Sequence, residues 1–156
     1  ANDADIAAMT NNLPHPYTIA HAQSWFDYVQ SHDSEHVFKI CGKGRLMGVI
    51  GLVHEKAHSR AELGYWLGRP YWNQGVMSAA VPMALAYAFE ALGVRRVFAR
   101  CYSVNAASRR VLEKSGFVQE GCLRQHHKCM GMIHDVVCYG LLRDEYAAAS
   151  GSRDDL

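Results

Sequence analysis

The stretch Gly64-Tyr65-Trp66-Leu67-Gly68-Arg69-Pro70-Tyr71-Trp72-Asn73-Gln74-Gly75-Val76-Met77-Ser78-Ala79-Ala80 decides how the chain is read. Its first four residues form a short aromatic and aliphatic run of the kind found in strands. Gly68 and Pro70 then interrupt it, and both residue types punctuate regular structure strongly. From Gly75 onward the pattern is helical, with Ala80, Met83, Ala84 and Tyr87 on one face. A strand that passes through a glycine into a helix start builds an anion site. The first four helical N–H groups have no partner inside the helix, and the macrodipole leaves partial positive charge there. Gly75 puts no side chain in the path of an approaching phosphate. The turn reads as a cradle for a pyrophosphate; the bland alternative is a plain strand-to-helix connection.

The elements on either side follow from the same signals. Residues 1 to 9 carry Ile6 and Met9 at helical spacing, and Asn11 to Pro16 is a loop held extended by two prolines. Thr18 caps a helix over Ile19 to Ser31 whose apolar face is Ala22, Trp25, Phe26 and Val29. His36 to Cys41 and Leu46 to His54 form a hairpin about Gly42-Lys43-Gly44. Lys56 to Arg60 is a polar loop, and Ala61 to Leu67 is the strand that enters the decisive turn. The helix from Gly75 to Leu92 is ended by Gly93 and bent by Pro82, which lacks an N–H for the ladder. Arg95 to Cys101 returns as a strand, completing a right-handed crossover unit. Asn105 caps a second helix that runs to Ser115, with Gly116 as its stop. Phe117 to His127 and Ile133 to Leu142 are closing strands turned near Met130-Gly131, and Ala147 to Leu156 is a fraying tail.

Composition bounds the function. The 156 residues suit one domain over 1–156, without repeat or linker. Apolar content is 49%, charged content 20% and formal net charge +1. A basic stripe for nucleic acid is missing, and no apolar run is long enough for a bilayer, so neither partner is expected. The N-terminus lacks the head and apolar core of a secretory signal. Cys41, Cys101, Cys122, Cys129 and Cys138 are odd in number and lack paired spacing. They read as reduced thiols of a cytoplasmic protein, four of them strand residues acting as small core hydrophobes. Nine histidines invite a metal reading, but His126, His127, Cys129 and His134 lack the paired spacings of a zinc site, and no metal is expected.

With the helix start Asn105-Ala106-Ala107-Ser108 followed by Lys114-Ser115-Gly116-Phe117, this order of elements resembles the GNAT N-acetyltransferase superfamily. Gly64-Tyr65-Trp66-Leu67 and Tyr71-Trp72-Asn73-Gln74-Gly75 add to the likeness. Glu120-Gly121-Cys122-Leu123-Arg124, His134-Asp135-Val136 and Tyr139 look like the Rim-type branch of ribosomal-protein N-terminal acetyltransferases. The resemblance spans about Pro14 to Glu145. It implies an α/β fold with a mixed, mostly antiparallel central sheet, splayed parallel central strands and helices on both faces. It implies acetyl-CoA as donor and a primary amine as acceptor. Around the turn, Trp72, Asn73, Gln74, Gly75, Val76, Met77 and Ser78 would contact the CoA, with the N–H groups of Gln74 to Ser78 on its pyrophosphate. Pantetheine would lie along the strand ending at Leu67, with Asn105 and Ser108 facing it and the thioester sulfur.

Three departures from the family pattern stand out. The outer places of the turn motif are Trp72 and Met77. Leu112 stands where many members have a tyrosine acid. The family's usual first strand has no counterpart ahead of the first helix: either the chain is trimmed or the first strand edge is exposed, and an exposed edge, with the family's habit, makes a homodimer plausible.

Acetyl transfer needs a neutral amine, a near thioester, oxyanion stabilisation and a proton for the thiolate. Deprotonating a lysine at pH 7 costs about 4–5 kcal/mol, an α-amine about 1. No unmistakable base dyad is present, which favours an α-amine or another amine of low pKa. Glu62 is the first base candidate, or else a surface carboxylate on an alternating strand. His127 is the second, or else a surface histidine paired with His126. Ser108 is the best proton donor to the sulfur, or else a helix-start residue bonded locally. The N–H after Leu67 is the candidate oxyanion donor. Glu120, Arg124 and Asp135 are expected to cluster, and one of Arg95, Arg96, Arg109 and Arg110 to reach the CoA 3′-phosphate. A non-catalytic acyl-CoA-binding or sensing module is the alternative function. A dinucleotide binder is a third, disfavoured by the incomplete glycine motif.

Overall fold

The computed structural model describes residues 1–10 and 13–151. Along the chain it runs through α1 (Ala4–Met9), α2 (Ile19–Ser31), β1 (Glu35–Gly42), β2 (Arg45–Glu55) and β3 (Arg60–Leu67). It continues with α3 (Val76–Ala86), β4 (Arg96–Tyr102), α4 (Ala106–Lys114), β5 (Val118–Cys129), β6 (Met132–Leu142) and α5 (Arg143–Gly151). The strands form one sheet in the order β1-β2-β3-β4-β6-β5. Every neighbouring pair is antiparallel except β3 and β4, which α3 joins as a parallel crossover. The β1–β2 and β5–β6 hairpins close through two consecutive left-handed residues, Lys43-Gly44 (φ 49 and 74) and Met130-Gly131 (φ 47 and 80). That geometry matches the twist of the flanking strands. No helix among the described residues is long and apolar enough to cross a membrane.

The parallel pair determines where a site can form. β3 and β4 are in register only from Arg60↔Arg96 to Glu62↔Phe98. Both strands then continue, to Leu67 and Tyr102, without further pairing to each other. A wedge opens between them, held by β2 on one side and β6 on the other. Strand alternation sends Ala61, Leu63, Val97 and Ala99 to one face, where they are buried against Val81, Ala84 and Leu85 of α3 and Leu112 of α4. Each valine or leucine among them contributes about 1.5–3 kcal/mol on burial. The opposite face carries Glu62, Trp66 and Arg100 and, with residues of α1 and α2, lines a cavity of about 1280 Å³.

Several expectations change in three dimensions. Thr18 caps α2 reciprocally with His21: its hydroxyl accepts the His21 N–H at 3.3 Å, and its own N–H reaches the His21 ring at 3.1 Å. The apolar face of α2 is largely open, with Trp25 42% and Phe26 51% exposed. The helix touches the sheet at β1, where the Tyr28 hydroxyl donates to Glu35 at 3.3 Å, and borders the wide cavity, with Trp25 in its wall. Pro82 lies inside α3, and beyond Ala86 the helix passes into a π-helical turn, Tyr87–Ala91, that the sequence did not suggest. The expected fraying tail is helical as far as Gly151. Its alanines favour a helix, and Arg143 anchors it by donating to the carbonyls of Phe89 (2.6 Å) and Val94 (2.9 Å). Asn11, Asn12 and residues 152–156 lie outside the described residues. All five cysteines are free and on strands, but Cys41 and Cys122, on the two outermost strands, are exposed rather than core. The expected Glu120–Arg124–Asp135 cluster does not form. Glu120 makes a two-pronged ion pair with Arg96, seated on Gly140, while Asp135 accepts the Gln125 N–H at 2.7 Å.

Candidate active site

The decisive turn has the backbone of an anion cradle. Asn73 (φ 58) and Gly75 (φ 74) are left-handed on either side of Gln74, and Gly75 is the N-cap of α3. The first main-chain bond inside the helix is from Ala79 N–H to Gly75 O, 3.0 Å. Among the described residues, the N–H groups of Gln74, Gly75, Val76, Met77 and Ser78 donate to no protein acceptor. Successive unpaired N–H groups in such a turn form a concavity for an anion. The Gln74 side chain folds back to Pro70 O at 2.7 Å, and the Met77 side chain is buried, so these residues offer the cradle only their amides. Trp72 differs from the expectation: its N–H is bonded to Arg69 O (3.1 Å) and its indole Nε1 to Leu67 O (2.7 Å). It braces the turn and has no donor left for a phosphate.

The cradle and the wedge line the same cavity. In an antiparallel pair alternate residues turn their main-chain groups away from the partner. Gly68 bonds to Met47 of β2, so Leu67 and Tyr65 are the residues that face the wedge. That leaves a strand edge to which an extended ligand with amides can add. The Gly68 amide is the N–H after Leu67. Its 2.7 Å bond to Met47 O removes it as an oxyanion donor. Across the wedge, Asn105 Oδ1 caps the Ser108 N–H at 3.1 Å, and Ser108 Oγ lies 2.8 Å from the Tyr65 hydroxyl. Burial pushes the Tyr65 pKa up to about 12, partly offset by the bond to Ser108.

Residues 1–118 match the family model of the acetyltransferase (GNAT) domain. The chain belongs to the GNAT acetyltransferase family. It is 40% identical to a putative ribosomal N-acetyltransferase, YdaF of Bacillus subtilis, over 66% of this chain and 57% of that protein. It is 31% identical to the ribosomal-protein-serine acetyltransferase of Escherichia coli, over 69% of this chain and 61% of that protein. The chain thus spans less than two thirds of the length of these relatives. Its fold is similar to that of spermidine N-acetyltransferase from Vibrio cholerae, solved with CoA and spermine. The TM-score is 0.83 at 21% identity, with 94% of this chain and 87% of that chain covered.

Within this GNAT domain the other candidate residues separate. Glu62 and His127 both line the cavity, on the sheet face away from α3. Glu62 is not a free carboxylate: both its oxygens accept from Arg100, at 2.9 and 3.2 Å. His127 is cross-strand to His134, and both rings stack on Tyr102, at centroid distances of 5.8 and 4.4 Å. His126 joins the cavity wall as well. Leu112, at the place of the family tyrosine, is buried in the core. Of the four arginines, Arg96 is bonded to Glu120, Arg95 to His58 O and Arg109 to Tyr139 and Ser103 O. Arg110 is the one that reaches the cavity. Among the described residues no group of three or more potential ligands is placed to hold a metal ion. Arg100, and the pairing of Tyr65 with Ser108, were missed in the sequence; each links residues about forty positions apart, for which a single sequence carries no signal.

Proposed function

We propose that this chain is one acetyltransferase domain that moves the acetyl group of acetyl-CoA directly to a primary amine. The five undonated N–H groups at Gln74–Ser78, on the same cavity as the β3–β4 wedge, carry the reading. They fit a diphosphate. Tyr65 and Leu67 fit the amides of a pantetheine arm, and Asn105 and Ser108 stand opposite. In this reading the acceptor amine comes from the Glu62 and His127 side, with Glu62 or His127 taking its proton, directly or through water. Holding the two reactants in one cleft supplies much of the rate. The acceptor is a protein N-terminal α-amine or a small amine. The low cost of deprotonating an α-amine supports the first, and the ribosomal names of two relatives point the same way. A reducing, cytoplasmic setting agrees with the five free cysteines, and a homodimer with β1 at the sheet's edge.

The test is calorimetric titration with acetyl-CoA, followed by thiol-release assays on a panel of N-terminal peptides and small amines. Binding with turnover on at least one amine is expected; no binding ends the reading. A second reading, a non-catalytic acyl-CoA-binding module, rests on two observations: the core position of Leu112 and the engaged Gly68 amide. Tight binding without turnover on any amine selects it.

A further inference from the structure

We propose that Gly51 and Gly64 determine acceptor specificity. They floor a lane, bare of side chains, that admits the amine to the wedge only on a slender segment, one unbranched or carrying small side chains beside the nitrogen. The inference rests on the acetyl-transfer reading above and adds to it the class of acceptor the cleft can take.

The two glycines stand opposite each other on β2 and β3. Three rows of residues cross the sheet face they share. Glu35, Val53 and Glu62 form one row; Val37, Gly51 and Gly64 form the next; Val49 and Trp66 belong to the third. All of them line the cavity. Beyond Val37 the middle row has no side chain. Strands lie about 4.8 Å apart and rise about 3.4 Å per residue. The lane from Val37 to Gly64 is therefore about 10 Å long, with a wall row about 7 Å to either side. β3 is no longer paired with β4 at Gly64, so the lane passes between Glu62 and Trp66 into the wedge.

The fold does not ask for glycine at either place. Neither residue has a positive φ. A Cβ built on Gly64 meets nothing within 4 Å, and one on Gly51 makes ordinary contacts, 3.5 Å from His36 O and 3.5 Å from the Val37 side chain. Gly48, on the same strand, is the contrast: a Cβ there lies 2.4 Å from the Trp66 carbonyl oxygen, so packing accounts for it. Glycine inside a strand weakens it, and it often marks the close approach of a ligand. A methyl on either floor residue would stand in the lane. A floor of bare main chain between valine and tryptophan walls suits an extended segment lying flat, and a branch beside the nitrogen would strike it.

A second observation points to an occupant. Tyr102 of β4 lines the same cavity and is 4% exposed, and among the described residues its hydroxyl has no hydrogen-bond partner. The Cys129 thiol is turned to Ala7 O instead, at 3.6 Å. Buried hydroxyls are seldom left in that state. An acceptor with a carbonyl beside its amine, as at a peptide N-terminus, brings the kind of atom this hydroxyl lacks.

The test measures thiol release from acetyl-CoA by the wild type, Gly51→Ala and Gly64→Ala on two sets of amines. One set is short peptides beginning with glycine, serine or alanine against the same peptides beginning with valine or phenylalanine. The other is n-butylamine against neopentylamine. Calorimetry gives the affinity for acetyl-CoA, and thermal melts the stability. The wild type is expected to prefer the slender members, and the set it turns over better assigns the source of the amine. In each alanine variant KM for the slender acceptor should rise roughly ten- to a hundredfold, the scale of one methylene in a tight pocket. Affinity for acetyl-CoA should stay the same, and the melting temperature should be equal or higher, which a merely structural role for the glycines would not give. Unchanged KM in both variants, or a wild type that prefers the branched members, overturns the inference while leaving acetyl transfer intact. A wild type that binds acetyl-CoA but turns over neither set overturns it together with the acetyl-transfer reading.

Discussion

Substituting Gly75 by alanine separates the cost of the turn's backbone from the turn's use. Gly75 sits at φ +74, and a methyl built there meets nothing within 4 Å. The penalty is therefore conformational, about 1–2 kcal/mol for a left-handed non-glycine residue. Gly44, in the β1–β2 hairpin, has the same φ of +74 and the same open surroundings. It lies in a different turn and does not line the cavity. Gly44→Ala is thus a control for the backbone term alone. Both variants should lower the melting temperature by roughly 2–8 °C. Only Gly75→Ala places a methyl at the cradle and shifts its amides. Loss of one hydrogen bond to a charged phosphate costs about 1.5–3 kcal/mol, so acetyl-CoA should bind roughly ten- to a hundredfold more weakly. Calorimetry gives the affinities and thermal melts the stabilities. Equal affinities in the two variants would refute the assignment of the cradle.

Three further outcomes follow from specific contacts. A Cβ on Gly48 would lie 2.4 Å from the Trp66 carbonyl oxygen and 3.0 Å from Leu67 Cα, so Gly48→Ala must move β2 or β3 at the mouth of the wedge. It should cost about 1–3 kcal/mol in chemical denaturation, while Gly64→Ala, with nothing within 4 Å, leaves the packing intact. Hydrogen bonding to Arg96 holds the Glu120 carboxyl below the usual carboxylate range. The stability it supplies is present above the unfolded carboxyl pKa and is lost as the pH falls through the lower folded value. The difference in Tm between wild type and Glu120→Gln should therefore be present at about pH 7 and vanish at the most acid pH. With Glu62 as the base, Glu62→Gln slows thiol release by about a hundredfold or more and removes the acid limb of the pH profile; an unchanged profile assigns the proton to another group.

What could be read in advance was local. Gly75 as a helix start, Thr18 and Asn105 as caps, and Lys43-Gly44 and Met130-Gly131 as turns are all set by residues adjacent in the chain. The splayed strands followed from the family resemblance rather than from any residue pattern. What escaped was set by pairs distant in sequence: Glu62 with Arg100, Tyr65 with Ser108, Glu120 with Arg96. The free and paired amides divided in the same way. Gln74 to Ser78 are undonated because a helix start has no earlier turn to bond to. Gly68 is taken because Met47, near the start of β2, lies beside it. Periodicity found the apolar face of α2, but not that it borders an open cavity with Trp25 in the wall. Composition misled at the C-terminal end, where small residues read as a tail are alanines of a helix anchored by Arg143.

The central claim concerns five main-chain N–H groups, and amide NMR observes them one at a time. In a titration of the 15N-labelled chain with CoA, the amide protons of Gln74, Gly75, Val76, Met77 and Ser78 should show the largest downfield shifts, as they gain charged acceptors. Saturation with CoA that leaves those five resonances in place while amides elsewhere move would contradict the account.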